Sequence, residues 1–284
     1  MMNKQEKANV FAHTVETYKN GKYTSPNGKE VILNKVADET KFYGGKVTPN
    51  FDSLPHFDMK VTVVDKDCLV AAKELVDKGK KPAVLNMASF IMPGGGVING
   101  SSAQEEDLFR RTNLFNSLYQ FHTVGLNYGI KQREERYPLH YNYGAIYTPS
   151  VTVFKASESH NYDLLDEPFN ISVISAAAVK KPPIDKDGKL PYWVITVLKN
   201  KVRQILSVAL ENGHTTLVLS AFGCGAYGTP PSEMAKIFNE IITKEFNGYF
   251  EEIVFAIINS NSVFKEHNPQ GNFLPFKEIL ENGR

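Results

Sequence analysis

Apolar positions recur along this chain with two periods. Over residues 3–20, Val10, Phe11, Val15 and Tyr18 fall at helical spacing and make one apolar stripe on a polar segment. Asn27-Gly28 marks a tight turn between Tyr23 and the strand-like run Glu30-Val31-Ile32-Leu33. Residues 34–57 are rich in turn formers and read as irregular. MKVTVV at 59–64 alternates as a strand. Asp65 and Asp67 then lead into a helix through Cys68, Ala71, Ala72, Leu75 and Val76, which Gly79 ends. Residues 82–87 are a short buried strand.

Beyond a helix that starts near residue 103, residues 121–142 are polar and aromatic and read as a surface excursion. Ala145-Ile146-Tyr147 and Val151-Thr152-Val153-Phe154 read as two paired strands around Pro149. Further strands are expected at 171–175, 215–219 and 253–258, the last running into Asn259-Ser260. Helices are expected at 193–211, 231–246 and 276–280. Strands alternating with helices predict an α/β fold with a mostly parallel or mixed sheet and helices on both faces. No repeat or domain-scale linker interrupts the pattern. It reads as one domain, with a core over residues 59–284 and an N-terminal helical extension, residues 1–58, packed on it.

Composition narrows the class. The 284 residues carry 32 basic and 31 acidic side chains, a net charge of +1, so no broad nucleic-acid surface or anionic-membrane surface is expected. The two cysteines, Cys68 and Cys224, far apart in sequence, argue against a disulfide framework or a four-ligand zinc site and fit a reducing cytosol. The N-terminus lacks the apolar core of a signal peptide. No apolar run approaches the roughly 18–20 residues of a membrane span. The expectation is a soluble, cytoplasmic monomer.

Two stretches carry chemistry. In the first, the strand at 82–87 feeds a loop with Gly94, Gly95 and Gly96, and a seven-residue spacer leads to Gln104, Glu105 and Glu106 at a helix start. Glycines let backbone approach a ligand or adopt positive φ. Ser102-Ala103-Gln104-Glu105 also fits a capping box, with Ser102 as N-cap, which accounts for Glu105 structurally. It leaves Glu106 unexplained. A Glu can protonate a departing sugar oxygen and later activate water.

The second stretch runs from the strand at 215–219 through Gly223, Cys224, Gly225, Ala226, Tyr227 and Gly228 to the helix at Pro231. Its amides and the helix start suit phosphate. Residues 223–228 also match G-x-G-x-x-G. The late position, and a following strand that ends in Asn259-Ser260 rather than an acid, argue against a dinucleotide fold. A plain strand-to-helix turn is the other reading. Cys224 reads as a small buried residue, not a nucleophile. The seven histidines show no metal spacing, and no serine-hydrolase elbow or P-loop is present.

The glycine triplet, spacer and Gln104-Glu105-Glu106 resemble the G-G-G-x(6–8)-Q-E-E signature of poly(ADP-ribose) glycohydrolases in their shorter microbial form. LNMAS at 85–89, AQEEDLFRRTNLFNSL at 103–118, IYTPSVTVF at 146–154 and FGCGAYG at 222–228 resemble family stretches in the same order. The resemblance implies a macrodomain-like three-layer α/β/α sandwich with a mixed central sheet, binding ADP-ribose and cutting the ribose–ribose O-glycosidic bond of poly(ADP-ribose) on modified proteins. It implies no metal and no cofactor. Glu106 would be the acid and base, Glu105 would hold ribose hydroxyls, and Gln104 would order the loop. Asn86 would bond the same ribose. Gly94, Gly95, Gly96 and Val97 would wrap the diphosphate from one side, and the amides of Gly223, Cys224, Gly225, Ala226 and Tyr227 from the other. Phe255 is the candidate shelf for adenine. Two positions depart from macrodomain patterns: Thr229 stands where phosphate loops often carry Asn, and Ser89 replaces a second Asn. A mono-ADP-ribosyl hydrolase and a non-catalytic ADP-ribose reader remain alternatives, and a nucleotide-dependent oxidoreductase rests on residues 223–228 alone.

Overall fold

The computed structural model describes residues 2–33, 39–259 and 266–281; Ser260 of the Asn259-Ser260 pair and residues 34–38 lie outside them. In chain order the elements begin with α1 (Lys4–Asn20), β1 (Lys22–Thr24), β2 (Glu30–Ile32), β3 (Lys41–Tyr43), β4 (Lys60–Val64) and α2 (Cys68–Asp77). Next come β5 (Ala83–Met87), α3 (Gln104–Arg111), α4 (Leu114–Leu118), β6 (Ala145–Lys155) and β7 (Leu164–Ala176). The chain closes with α5 (Tyr192–Glu211), β8 (Thr216–Leu219), α6 (Pro231–Lys244), β9 (Glu252–Ala256) and α7 (Phe273–Glu281). β1 and β2 form an antiparallel hairpin. The other strands form a seven-stranded mixed sheet in the order β3-β6-β7-β5-β8-β9-β4, flanked by helices, as the α/β reading expects.

Two sequence expectations about strands are corrected. Residues 145–155 are one strand rather than a hairpin about Pro149; Ser150 takes the left-handed conformation (φ +53°), so the chain bends without leaving the sheet. β3, only three residues long, lies inside the stretch read as irregular.

The chain divides into two compact units. The first comprises Met1–Phe42, Ala88–Pro138 and Ile146–Val173. Its helix α1 starts at a capping box in which Asn3 Oδ1 accepts the Glu6 N–H and Glu6 Oε2 accepts the Asn3 N–H. The apolar stripe of α1 lands on α3 and α4: the Phe11 ring lies 6.2 Å from Phe109 and 5.8 Å from Phe115, and Tyr18 lies edge-on to Phe115 at 5.6 Å. Leu108 and Phe109 are fully buried, so the apolar face of α3 is fixed against this cluster.

The second unit comprises Tyr43–Met87, Leu139–Ala145 and Ile174–Arg284. Its strands β5, β8, β9 and β4 pair in parallel, Leu217 facing both Ala83 and Ile253. Every residue of β8 is buried, which is why these strands read as continuous apolar runs rather than alternations. Asp67 caps α2 by accepting the Leu69 and Val70 N–H groups. Phe238 of α6, Phe255 of β9 and Phe276 of α7 make one aromatic cluster. Among the described residues no helix is long and apolar enough to cross a membrane.

Candidate active site

The first unit builds its acidic site from the start of α3 and the glycine loop. The N-cap of α3 is Ala103, with no side-chain cap, so Glu105 and Glu106 occupy the second and third helical positions. The capping box expected at Ser102 and Glu105 does not form. Ser102 Oγ instead accepts from Lys7 Nζ at 2.9 Å, and Glu105 turns to the loop. Partners distant in sequence displaced the local motif.

Glu105 Oε2 accepts the Ser89 N–H at 2.7 Å and its Oε1 accepts the Gly94 N–H at 3.0 Å. Glu106 Oε1 accepts the Gly96 N–H at 3.0 Å. The Gly95 N–H goes to the Met92 carbonyl oxygen and the Val97 N–H to that of Gly94. The four amides of residues 94–97 are therefore engaged. Their acceptors are two carboxylates and the loop's own carbonyls, so a diphosphate wrapped by residues 94–97 would meet the loop's surface rather than unclaimed amides.

The glycines serve this packing. A Cβ on Gly95 (φ +49°) would lie 2.6 Å from Glu106 Oε1 and 3.3 Å from Glu105 Oε2, and one on Gly94 (φ +75°) would lie 2.5 Å from the Phe109 ring. Only glycine lets the loop close onto both carboxylates in these conformations. Both glutamates are buried, Glu105 3% and Glu106 7% exposed. Glu106 Oε2 meets no hydrogen-bond partner among the described residues. Beside them, burial chiefly, then the Tyr128 and Glu105 side chains, push the Tyr119 phenol up, so it stays protonated.

Two long-range contacts hold this corner. The fully buried Arg110 donates from Nε to the Lys7 carbonyl oxygen at 3.1 Å and from Nη2 to the Ser101 carbonyl oxygen. Sequence reasoning passed over Arg110, Lys7 and the Ser89 amide. The position of Arg110 four residues after Glu106, on one helix face, was the available signal.

In the second unit, Asn86 of β5 is fully buried. Its Nδ2 donates to Ser175 Oγ at 3.0 Å, and its Oδ1 meets no partner among the described residues. The loop after β8 is anchored through its carbonyls. That of Cys224 accepts from His267 Nε2 at 2.8 Å, that of Tyr227 from the Lys181 N–H at 2.7 Å, and that of Gly223 from the Thr229 N–H at 3.0 Å. The Cys224 N–H is spent on Ala221, but those of Gly223, Gly225 and Ala226 meet no acceptor among the described residues. Helix α6 follows, with Pro231 as its first residue. Gly223 (φ +78°) is tightly held: an added Cβ would lie 2.7 Å from Ala178 Cβ and 2.9 Å from Thr229 Oγ1. Nothing lies within 4 Å of one added to Gly225.

Cys224 is fully buried, and burial pushes its thiol up, which makes it inert as a nucleophile. Phe255 is not a shelf for a ligand. Its ring is wholly buried, 5.1 Å from Phe238 and 5.7 Å from Phe276, because its position on β9 points into the core. Among the described residues, no cluster of His, Cys, Asp and Glu could hold a metal ion.

Residues 12–156, just over half the chain and the part holding the glycine triplet and both glutamates, match the catalytic domain of microbial-type PARG, poly(ADP-ribose) glycohydrolase. The chain belongs to this family. As a microbial-type PARG it is a glycosidase. No curated protein matches it by sequence. Among solved structures it is similar to the poly(ADP-ribose) glycohydrolase of Thermomonospora curvata bound to the inhibitor ADP-HPD. The identity is 27%, covering 96% of this chain and 98% of the other, with a TM-score of 0.76. It is also similar to the Deinococcus radiodurans enzyme in complex with ADP-ribose, at 28% identity over 88% of this chain and 97% of the other, with a TM-score of 0.68. The PARG catalytic-domain match ends before the second glycine loop.

Proposed function

We propose that the chain hydrolyses the ribose–ribose O-glycosidic bond of poly(ADP-ribose), releasing ADP-ribose, with Glu106 as general acid and then general base. The observation that carries this assignment is the asymmetry of the Glu106 carboxylate. One oxygen is held by the Gly96 N–H, and the other is buried and without a partner among the described residues. A carboxylate fixed at one oxygen and free at the other is built to pass a proton at a defined point. In the forward step, Oε2–H protonates the leaving ribose oxygen as the C–O bond breaks, leaving an oxocarbenium-like ribosyl group. The Glu106 carboxylate then takes a proton from the water that adds to this carbon, which restores the acid.

Glu105 has a different part. Both of its oxygens accept loop amides, so it orders the glycine loop, and in this reading it also holds ribose hydroxyls. Gln104, at the head of α3, helps to order the same loop. In the second unit, the amides of Gly223, Gly225 and Ala226, with the start of α6, suit the diphosphate. Tyr227 belongs to the same loop, and Cys224, whose N–H and carbonyl are both spent inside the protein, shapes the loop rather than donating to the diphosphate. Asn86 Oδ1 is an acceptor for a sugar hydroxyl. The ADP-ribose bound by the Deinococcus radiodurans relative supports the ligand class.

The test is incubation of the protein with poly(ADP-ribose) and, separately, with a mono-ADP-ribosylated protein. Free ADP-ribose from the polymer, abolished in Glu106→Ala, is expected. Release from the mono-ADP-ribosylated protein alone would make the chain a mono-ADP-ribosyl hydrolase. Calorimetric binding of ADP-ribose without turnover of either would make it a reader.

A further inference from the structure

The loop that leads into α5 presents an exposed strip in the second unit. Lys180, Lys181, Lys186 and Lys189 are all exposed, and none forms an ion pair among the described residues. Tyr192 and Trp193, the first residues of α5, follow directly, with 83% and 51% of their surfaces in solvent. Tyr192 and the single tryptophan of the chain lie out of the core, where burial gives neither ring a reason to be aromatic. Of the two acids in the loop, Asp185 is occupied with the turn, accepting the Asp187 and Lys189 N–H groups. The loop is thus net cationic, and two exposed aromatic side chains follow it directly in the chain.

The strip is joined to the second glycine loop. The Lys181 N–H donates to the Tyr227 carbonyl oxygen at 2.7 Å, and Ala178 packs where a Cβ on Gly223 would fall. A polymer with repeating diphosphates and adenines offers what such a strip recognises: anionic groups for lysines and planar rings for aromatic stacking. We propose that this strip takes the ADP-ribose units of the polymer beyond the two that flank the bond to be cut, phosphates against the lysines and adenines against Tyr192 and Trp193. It rests on the reading of the chain as a poly(ADP-ribose) glycohydrolase and adds a determinant of chain-length preference to it.

The experiment compares a long poly(ADP-ribose) chain with the dimer, by binding in a Glu106→Gln background and by turnover in the otherwise unaltered protein. The long chain is expected to bind about tenfold more tightly than the dimer. Tyr192→Ala with Trp193→Ala should bring that ratio close to one, as should Lys186→Glu with Lys189→Glu. Dimer turnover and ADP-ribose affinity should be unchanged in both. The lysine pair decides the matter if the aromatic pair impairs folding, as judged by melting temperature. Equal affinity of the unaltered strip for dimer and long chain would overturn the proposal, as would a length preference that survives both pairs of changes. Displacement of the long chain by single-stranded DNA of equal charge at equal concentration would also overturn it, showing an undiscriminating polyanion surface. A failure of the catalytic reading appears separately, as a dimer that is bound and never cut, and the binding ratio still decides the strip.

Discussion

The two glycine loops each follow a strand and precede a helix, yet they spend their backbone donors in opposite ways. In the first, the amides of Gly94 and Gly96 go to the carboxylates of Glu105 and Glu106, and those of Gly95 and Val97 to the loop's own carbonyls. In the second, the loop is held through carbonyls by His267, Lys181 and Thr229, and the amides of Gly223, Gly225 and Ala226 meet no acceptor among the described residues. Loop amides serve as an anion site only when nothing inside the protein has claimed them. Glycine-rich sequence alone does not distinguish a loop built to grip its own acids from one built to receive a foreign anion. The difference is in what lies opposite: two buried glutamates in one case, carbonyl anchors in the other.

The comparison breaks most sharply at Gly95. Gly95→Ala should lower kcat by about a hundredfold, because the new methyl group displaces Glu106 Oε1, and small misplacements of a reacting group cost that much. Steady-state kinetics on poly(ADP-ribose) will measure it, and an unchanged kcat would mean that the carboxylate position is not set by this glycine. Glu105→Gln should follow, lowering kcat about tenfold. An amide has one oxygen for two loop N–H donors, and leaving a buried donor unmet costs about 1–3 kcal/mol. Faster hydrogen exchange at Gly94 or Ser89 would accompany the loss. In the second loop the effect should appear in binding, not chemistry. Gly223→Ala strains a left-handed residue against Ala178 and should weaken ADP-ribose affinity about tenfold in calorimetry, with kcat at saturation nearly unchanged. Gly225→Ala, which meets open space, should change affinity by less than about twofold. The smallest effect on catalysis and binding is expected for Thr229→Val, which is read in stability instead. The Thr229 hydroxyl is buried without a partner among the described residues, so replacing it with a methyl group should raise stability, by about 1 kcal/mol in denaturant titration.

Much of this was legible in the sequence where the signal was local. The stripe of α1, the Asp67 cap and the apolar runs of β5, β8 and β9 follow from periodicity and burial, and the structure has them near the expected residues. The acids at the start of α3 were legible too. What failed was competition from distant partners. Ser102-x-x-Glu105 is a sound capping pattern, but Lys7 claims the serine and the glycine loop claims the glutamate, and neither is visible within a helical turn. Phe255 was misread for a related reason: a strand alternates its faces, and only the positions of Phe238 and Phe276 reveal which side is core. Pro149 suggested a hairpin because proline ends central strands; one left-handed residue, Ser150, lets β6 continue.

The central claim is that Glu106 moves the proton while Glu105 holds the loop. It is tested most directly by measuring kcat on poly(ADP-ribose) and the Kd for ADP-ribose in the same preparation of Glu106→Gln. The glutamine keeps an acceptor for the Gly96 N–H and removes the ionisable oxygen. A fall in kcat of about 10²–10⁴-fold with Kd within about twofold of the unaltered protein is predicted. Full turnover in Glu106→Gln would contradict it.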